Sequence, residues 1–257
     1  MGNTVDPISE IQPEARAPLV TYEDVAGRLE LALTRPDLNE EEVDAACRKA
    51  RAFGLGAVVV RPSDVDMAAR ILDGSSVALA SVAGFPHGSS TTGAKLYEGR
   101  DLLRRGVKEV NLVVNYGRML SRQFQHVETE ILQMSESCHQ GDAILKLVFE
   151  SAYLAEDLKN ILCKMAKRTD TDFIETDNPA DLLQLKSICK DVVKIKVSGS
   201  STLEKFEEAY KAGIERYGVT DPFAIAGEWK QILAAREAAA KQSAANGANG
   251  AVLPQKS

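Results

Sequence analysis

The feature that most restricts this chain is a repeated alternation of strand and helix signals. Eight short aliphatic and β-branched runs recur: Leu29–Thr34, Gly56–Arg61, Val77–Ala83, Glu109–Asn115, Ala143–Glu150, Asp172–Thr176, Val192–Ser198 and Ile214–Val219. Each is followed by a stretch with helical signals. Asn39 is placed to cap a helix to about Phe53, with Glu40, Glu41 and Glu42 in the first turn, where the dipole favours negative charge. Ser63 is expected to cap Asp64–Leu72, and Thr91–Arg105 closes on Gly106. Met119 to about Gln140 ends before Gly141, and a further helix reaches about Arg168. Pro179 opens a helix at a first-turn position, Thr202 caps one to Lys211, and Pro222 begins the last, to about Lys241. β-branched runs alternating with helices indicate a parallel sheet covered by helices. Eight such units of roughly 25 residues predict a (β/α)8 TIM barrel, for which about 250 residues is typical. A doubly wound open sheet is the alternative, but no Gly-x-Gly-x-x-Gly follows the first strand.

The two ends lie outside this pattern. Residues 1–18 lack periodicity and contain Pro7, Pro13 and Pro18, so they are expected to form an irregular extension. Residues 242–257 are low-complexity and are expected to be a disordered tail, leaving 19–241 as the single barrel domain. The net charge is −6 and no basic cluster dominates, which argues against a nucleic-acid partner. No apolar run approaches the roughly 20 residues needed to cross a membrane. The N-terminus lacks the apolar core of a secretory signal. Cys47, Cys138, Cys163 and Cys189 are scattered, as expected for reduced thiols of a cytoplasmic protein. No His/Cys/carboxylate cluster has metal-ligand spacing.

Side chains alternate across a strand, so parity sorts its two faces. On the seventh run Val193, Ile195 and Val197 suit contact with helices, leaving Val192, Lys194, Lys196 and Ser198 to point inward. The same argument turns Lys146 inward on the fifth, Asn111 on the fourth, Phe173 and Glu175 on the sixth and Glu30 on the first. Barrel interiors are usually filled by branched apolar residues. Buried charges cost several kcal/mol each unless paired. The interior is therefore either an inert Glu/Lys network or a polar site, and Lys196 lies nearer than Lys194 to the strand ends where barrel enzymes do chemistry.

Several segments resemble the deoxyribose-phosphate aldolases. Ala83-Gly84-Phe85-Pro86-His87-Gly88, then Thr91-Thr92 and Lys95, is similar to that family's G-F-P-x-G…T-T-x-x-K segment. Glu109–Gly117 resembles its E-[IV]-D-x-V-[IV]-N-x-G strand, and Leu145–Ser151 its L-K-V-I-[IL]-E-T. Asp172-Phe173-Ile174 with Thr176 resembles D-[FY]-[IV]-K-T, and Lys196–Gly199 resembles K-A-S-G-G. The resemblance runs in order from about Glu30 to Gly218. It implies a TIM barrel and a class I aldolase that cleaves 2-deoxyribose 5-phosphate into acetaldehyde and glyceraldehyde 3-phosphate, with no metal or other cofactor. It also implies a possible homodimer and a small aldehyde or sugar phosphate as partner. In such an enzyme a sixth-strand lysine forms the Schiff base, a seventh-strand lysine lowers that amine's pKa, and a fourth-strand aspartate helps relay protons.

Carried over residue by residue, the second lysine falls on Lys196 and the fifth-strand lysine on Lys146. Glu175 stands at the Schiff-base position, Asn111 at the aspartate position, and Lys194 where a glycine precedes the seventh-strand lysine. A carboxylate cannot form an imine. Three readings stay open: an imine lysine moved to Lys196 or Lys194, whose proximity would depress their pKa values; Glu175 as a general base beside Lys196; or a catalytically inactive binding or scaffold protein. For a phosphate, Ser198, Gly199, Ser200, Gly218 and Thr220 form the candidate cradle, although Asp177 nearby would repel an anion.

Overall fold

A computed structural model describes residues 16–249. Strands β1 (Leu29–Leu33), β2 (Ala57–Val60), β3 (Ala78–Ala83), β4 (Glu109–Val113), β5 (Ile144–Phe149), β6 (Phe173–Thr176), β7 (Lys194–Ser198) and β8 (Arg216–Val219) pair in chain order, all parallel, and β8 returns to β1. The barrel is closed, so no edge strand is left unpaired. The helices are α1 (Tyr22–Ala26), α2 (Glu40–Phe53), α3 (Val65–Leu72), α4 (Thr92–Arg104), α5 (Tyr116–Leu120), α6 (Phe124–Gln140), α7 (Glu156–Arg168), α8 (Leu182–Cys189), α9 (Leu203–Lys211) and α10 (Pro222–Asn249).

Local chemistry sets several boundaries. Asn39 and Glu42 form a reciprocal capping box at α2, and Gly54 ends it in the left-handed region at φ 60°. Thr91 and Thr202 cap α4 and α9 through their hydroxyls. Three expectations are corrected. Ser63 makes no cap; a 3₁₀ turn over Pro62–Asp64 leads into α3 instead. The expected helix from Met119 is broken, because Asn115 caps the short α5 and the chain restarts at Phe124. The Ala-rich run after Lys241 stays helical to Asn249, consistent with alanine's high helix propensity. Residues 250–257 of the expected tail and 1–15 of the expected extension lie outside the described residues. Within the described part of that extension, Ala17 accepts a hydrogen bond from Tyr210 at 3.0 Å, and Arg16 donates to the carbonyls of Gly213 and Ile214.

Two cores follow from strand parity. The larger lies between strands and helices and includes Leu31, Val58, Leu112, Leu147, Ile174, Ile195 and Trp229. The smaller, Val59, Ala80 and Val82, lies on β2 and β3. It belongs to the barrel interior, which β1, β4, β5, β6, β7 and β8 also line with charged and polar side chains.

Candidate functional site

Three carboxylates and three cations meet inside the barrel: Glu30, Glu109 and Glu175 with Lys146, Lys196 and Arg216. Glu30 on β1 is fully buried and central. It is bridged to Lys146, reaches Lys196 Nζ at 2.6 Å, and has Arg216 Nη1 at 3.9 Å. Lys146 Nζ also meets Glu109 Oε2 at 2.5 Å, and Arg216 Nη2 meets Glu109 Oε1 at 3.3 Å. Nearer the C-terminal strand ends, Glu175 Oε2 lies 3.0 Å from Lys196 Nζ, while Ser198 Oγ donates to Glu175 Oε1 at 2.9 Å. The register explains the meeting: Glu175, Lys196 and Arg216 are cross-strand partners on β6, β7 and β8, and Ser198, Gly218 and Glu30 are partners on β7, β8 and β1.

Three negative and three positive charges sum to zero, which is how a closed interior can hold them. The electrostatics fix the protons. Burial pushes the Glu30 carboxyl up, but Lys146, Lys196 and Arg216 together outweigh it and hold the group well below the usual carboxylate range. Burial pushes the Lys196 ammonium down, but Glu175 and Glu30 outweigh it and hold the group above the usual lysine range. This corrects the expectation that Lys194 and Lys196 depress one another. Lys196 is bracketed by two carboxylates. Lys194, the first residue of β7, is exposed, with its Nζ 5.5 Å from the Phe173 ring centroid.

The other expected residues are distributed as follows. Asn111 is buried on the inward face of β4, opposite Lys146 in register, and its Oδ1 has no hydrogen-bond partner. Ser198, Gly199 and Ser200 line a 430 Å³ cavity with Asp177, Lys205, Glu208 and Tyr217. Gly218 lies against Ser198 and Lys196: a Cβ there would come within 2.9 Å of Ser198 Oγ and 3.0 Å of Lys196 Cε. Thr220 is exposed beyond the end of β8. Among the described residues no group of three or more His, Cys, Asp or Glu side chains is placed to hold a metal ion.

Sequence reasoning missed Glu109 and Arg216. Parity carries both, since Glu109 shares a face with Asn111 and Arg216 with Gly218. It also missed a buried network under the β6 loop. Lys159 Nζ meets Asp181 Oδ1 at 2.7 Å and Ser151 Oγ at 2.6 Å, and Thr176 Oγ1 donates to Asp181 Oδ2 at 2.8 Å. Asp177 Oδ1 accepts the Ser151 backbone N–H at 2.7 Å and so ties the β6 loop to the β5 loop. Lys159 and Asp181 come from helical segments of different units, and no spacing in the sequence links them.

Residues 28–254 match the sequence model of the DeoC/LacD family aldolases. The chain belongs to that family. Its relatives include the deoxyribose-phosphate aldolase of Clostridium perfringens strain SM101, 27% identical over 210 residues that cover 78% of this chain and 93% of the relative. Among solved structures, an aldolase named QR15 is 27% identical, with a TM-score of 0.76 over 81% of this chain and 96% of that one. The tetrameric deoxyribose phosphate aldolase of Aeropyrum pernix shares the fold at 23% identity and a TM-score of 0.75, over 82% of this chain and 93% of that one. DeoC/LacD membership accounts for the barrel and for the C-terminal strand ends as the place to look for a ligand. No described helix is long and apolar enough to cross a membrane.

Proposed function

We propose that this chain forms no imine on its strand-seven lysines and serves as a non-catalytic, ligand-binding member of the DeoC/LacD family. One observation carries the reading: Lys196 Nζ lies 2.6 Å from Glu30 and 3.0 Å from Glu175 in a buried site. An amine attacks a carbonyl only when neutral. Removing the Lys196 proton would leave two buried carboxylates facing an uncharged amine, which both carboxylates oppose. Lys146 Nζ is ion-paired with both Glu30 and Glu109. Lys194 stands at the opposite end of β7 from Ser198 and the barrel mouth. Residue 175, which the family resemblance assigns to the imine lysine, is a carboxylate engaged on both oxygens by Lys196 and Ser198. That engagement also opposes the general-base reading. Asn111 has no titratable proton to relay.

The test is borohydride reduction in the presence of acetaldehyde, followed by peptide mapping. The native chain should show no stoichiometric adduct at Lys194 or Lys196. Glu30→Gln combined with Glu175→Gln removes both carboxylates from Lys196 and should make that lysine trappable. An adduct on either strand-seven lysine of the native chain would overturn the proposal.

A further inference from the structure

We propose that the segment from Arg16 to Val20 is a releasable latch that holds β8 in the barrel wall, so that its release loosens the strand carrying Arg216 and Gly218. β8 is the least supported strand. It makes three register pairs with β7 and three with β1, whereas every other neighbouring pair makes four or five. Its third residue, Gly218, has no side chain to pack, and glycine inside a strand weakens it. The chain enters β8 through Gly213, which sits at φ 107°.

Support comes from the other end of the chain. Arg16 donates to the Ile214 carbonyl at 2.6 Å and the Gly213 carbonyl at 3.0 Å, and it is ion-paired with Glu215. These three residues immediately precede Arg216, the first residue of β8. On the α9 side the Tyr210 hydroxyl donates to the Ala17 carbonyl at 3.0 Å. The Arg16 and Arg28 guanidinium carbons lie 5.0 and 5.3 Å from the Tyr210 ring centroid. Arg28 precedes β1; its Nη1 lies 3.9 Å from Glu215, and its carbonyl receives the Tyr217 N–H at 2.8 Å. The latch therefore binds α9, the entry to β8 and the entry to β1 together.

Two further observations make this a latch and not a piece of the core. Ala17, Pro18 and Val20 are exposed, so the segment is held by polar bonds and not by burial. Segments with few buried apolar contacts open locally without global unfolding. The strand it holds reaches the buried charges. Arg216 Nη2 meets Glu109 at 3.3 Å and Nη1 lies 3.9 Å from Glu30, while Gly218 lies against Lys196 and Ser198. Opening the latch frees the entry to β8 and admits water beside Arg216. A segment outside the barrel is thereby coupled to the interior network.

The experiment uses the full chain and follows amide hydrogen exchange by NMR. In Arg16→Gln the Tyr217 N–H, bonded to Arg28, and the Gly199 N–H, bonded to Gly218, should exchange about tenfold faster or more. The Lys108 and Val114 N–H groups, bonded to Leu79 and Val148 in the wall around β4, should keep their native rates. Trypsin supplies a second readout that leaves Arg16 in place. Arg16 is the first Lys or Arg in the sequence, and it must leave Glu215 to enter the protease pocket. Tyr210→Phe keeps the ring but loses the bond to Ala17, and cleavage after Arg16 should accelerate about threefold or more. Native rates at Tyr217 and Gly199 in Arg16→Gln would overturn the proposal. So would equal acceleration in the β4 wall, which marks global destabilisation, or cleavage after Arg16 that is no faster in Tyr210→Phe. Neither readout depends on imine formation.

Discussion

Replacing Glu30 with glutamine tests the electrostatic core of the barrel. Glutamine nearly conserves volume, so the change is one of charge. Glu30 is fully buried and contacts three cations, Lys146, Lys196 and Arg216. Its removal leaves Glu109 and Glu175 against three cations, and the interior goes from neutral to +1. Breaking a buried pair by removing one partner costs about 3–5 kcal/mol. For a chain of this size each kcal/mol moves Tm by roughly 2–4 °C, so the midpoint should fall by about 6–20 °C. Circular dichroism melts and urea titrations of the native and Glu30→Gln chains measure this. The exposed Arg35–Asp37 pair supplies the control, because Asp37→Asn should melt like the native chain. A second substitution, Lys196→Gln, restores the balance of charge, so the double variant should lose less than the sum of the two single losses. A Glu30→Gln loss below about 1 kcal/mol, the range of an exposed pair, would refute the view that this network is a tightly coupled, desolvated unit.

The same network sets the pH dependence. Glu30 is held below its usual value of 4.5, so its stabilisation is present above that pH and is lost as pH falls below it. Lys196 is held above its usual value of 10.5, so its contribution is present below that pH and is lost as pH rises through the higher folded value. Urea midpoints measured against pH should therefore decline at both extremes, with the acid limb flatter in Glu30→Gln. Glu175→Lys with Asn111→Asp should remain without aldolase activity on 2-deoxyribose 5-phosphate, because Asp177 still opposes the phosphate; a coupled assay that detects glyceraldehyde 3-phosphate would contradict this. Gly88→Ala should destabilise the chain by roughly 2 kcal/mol or more, since Gly88 has φ 64° and a Cβ would come within 1.9 Å of the Val114 carbonyl oxygen. An unchanged urea midpoint would show that the Gly84–Gly88 loop can relax.

The sequence by itself determined the barrel and its faces. Eight strand-like runs spaced by helical stretches admit few topologies, and the strict two-residue period turned Glu30, Lys146, Glu175 and Lys196 to one side before any contact was known. It also determined that residue 175 cannot form an imine, which is a matter of functional-group chemistry alone. Only the tertiary structure decided what those charges do to one another. Lys194 and Lys196 are two residues apart, a spacing that suggests neighbouring amines, yet the fold brackets Lys196 with carboxylates from β1 and β6 and leaves Lys194 exposed at the opposite end of β7. The partners of a buried charge come from distant parts of the chain: Glu30 and Lys196 are brought together by closure of β8 onto β1. A pKa depends on those distances and on the exclusion of water, neither of which sequence spacing encodes. Asp221 illustrates the same limit. In the sequence it is an acid before a proline; in the fold it caps α10 through the Phe223 and Ala224 amides and joins the loop after β7 through Ser201.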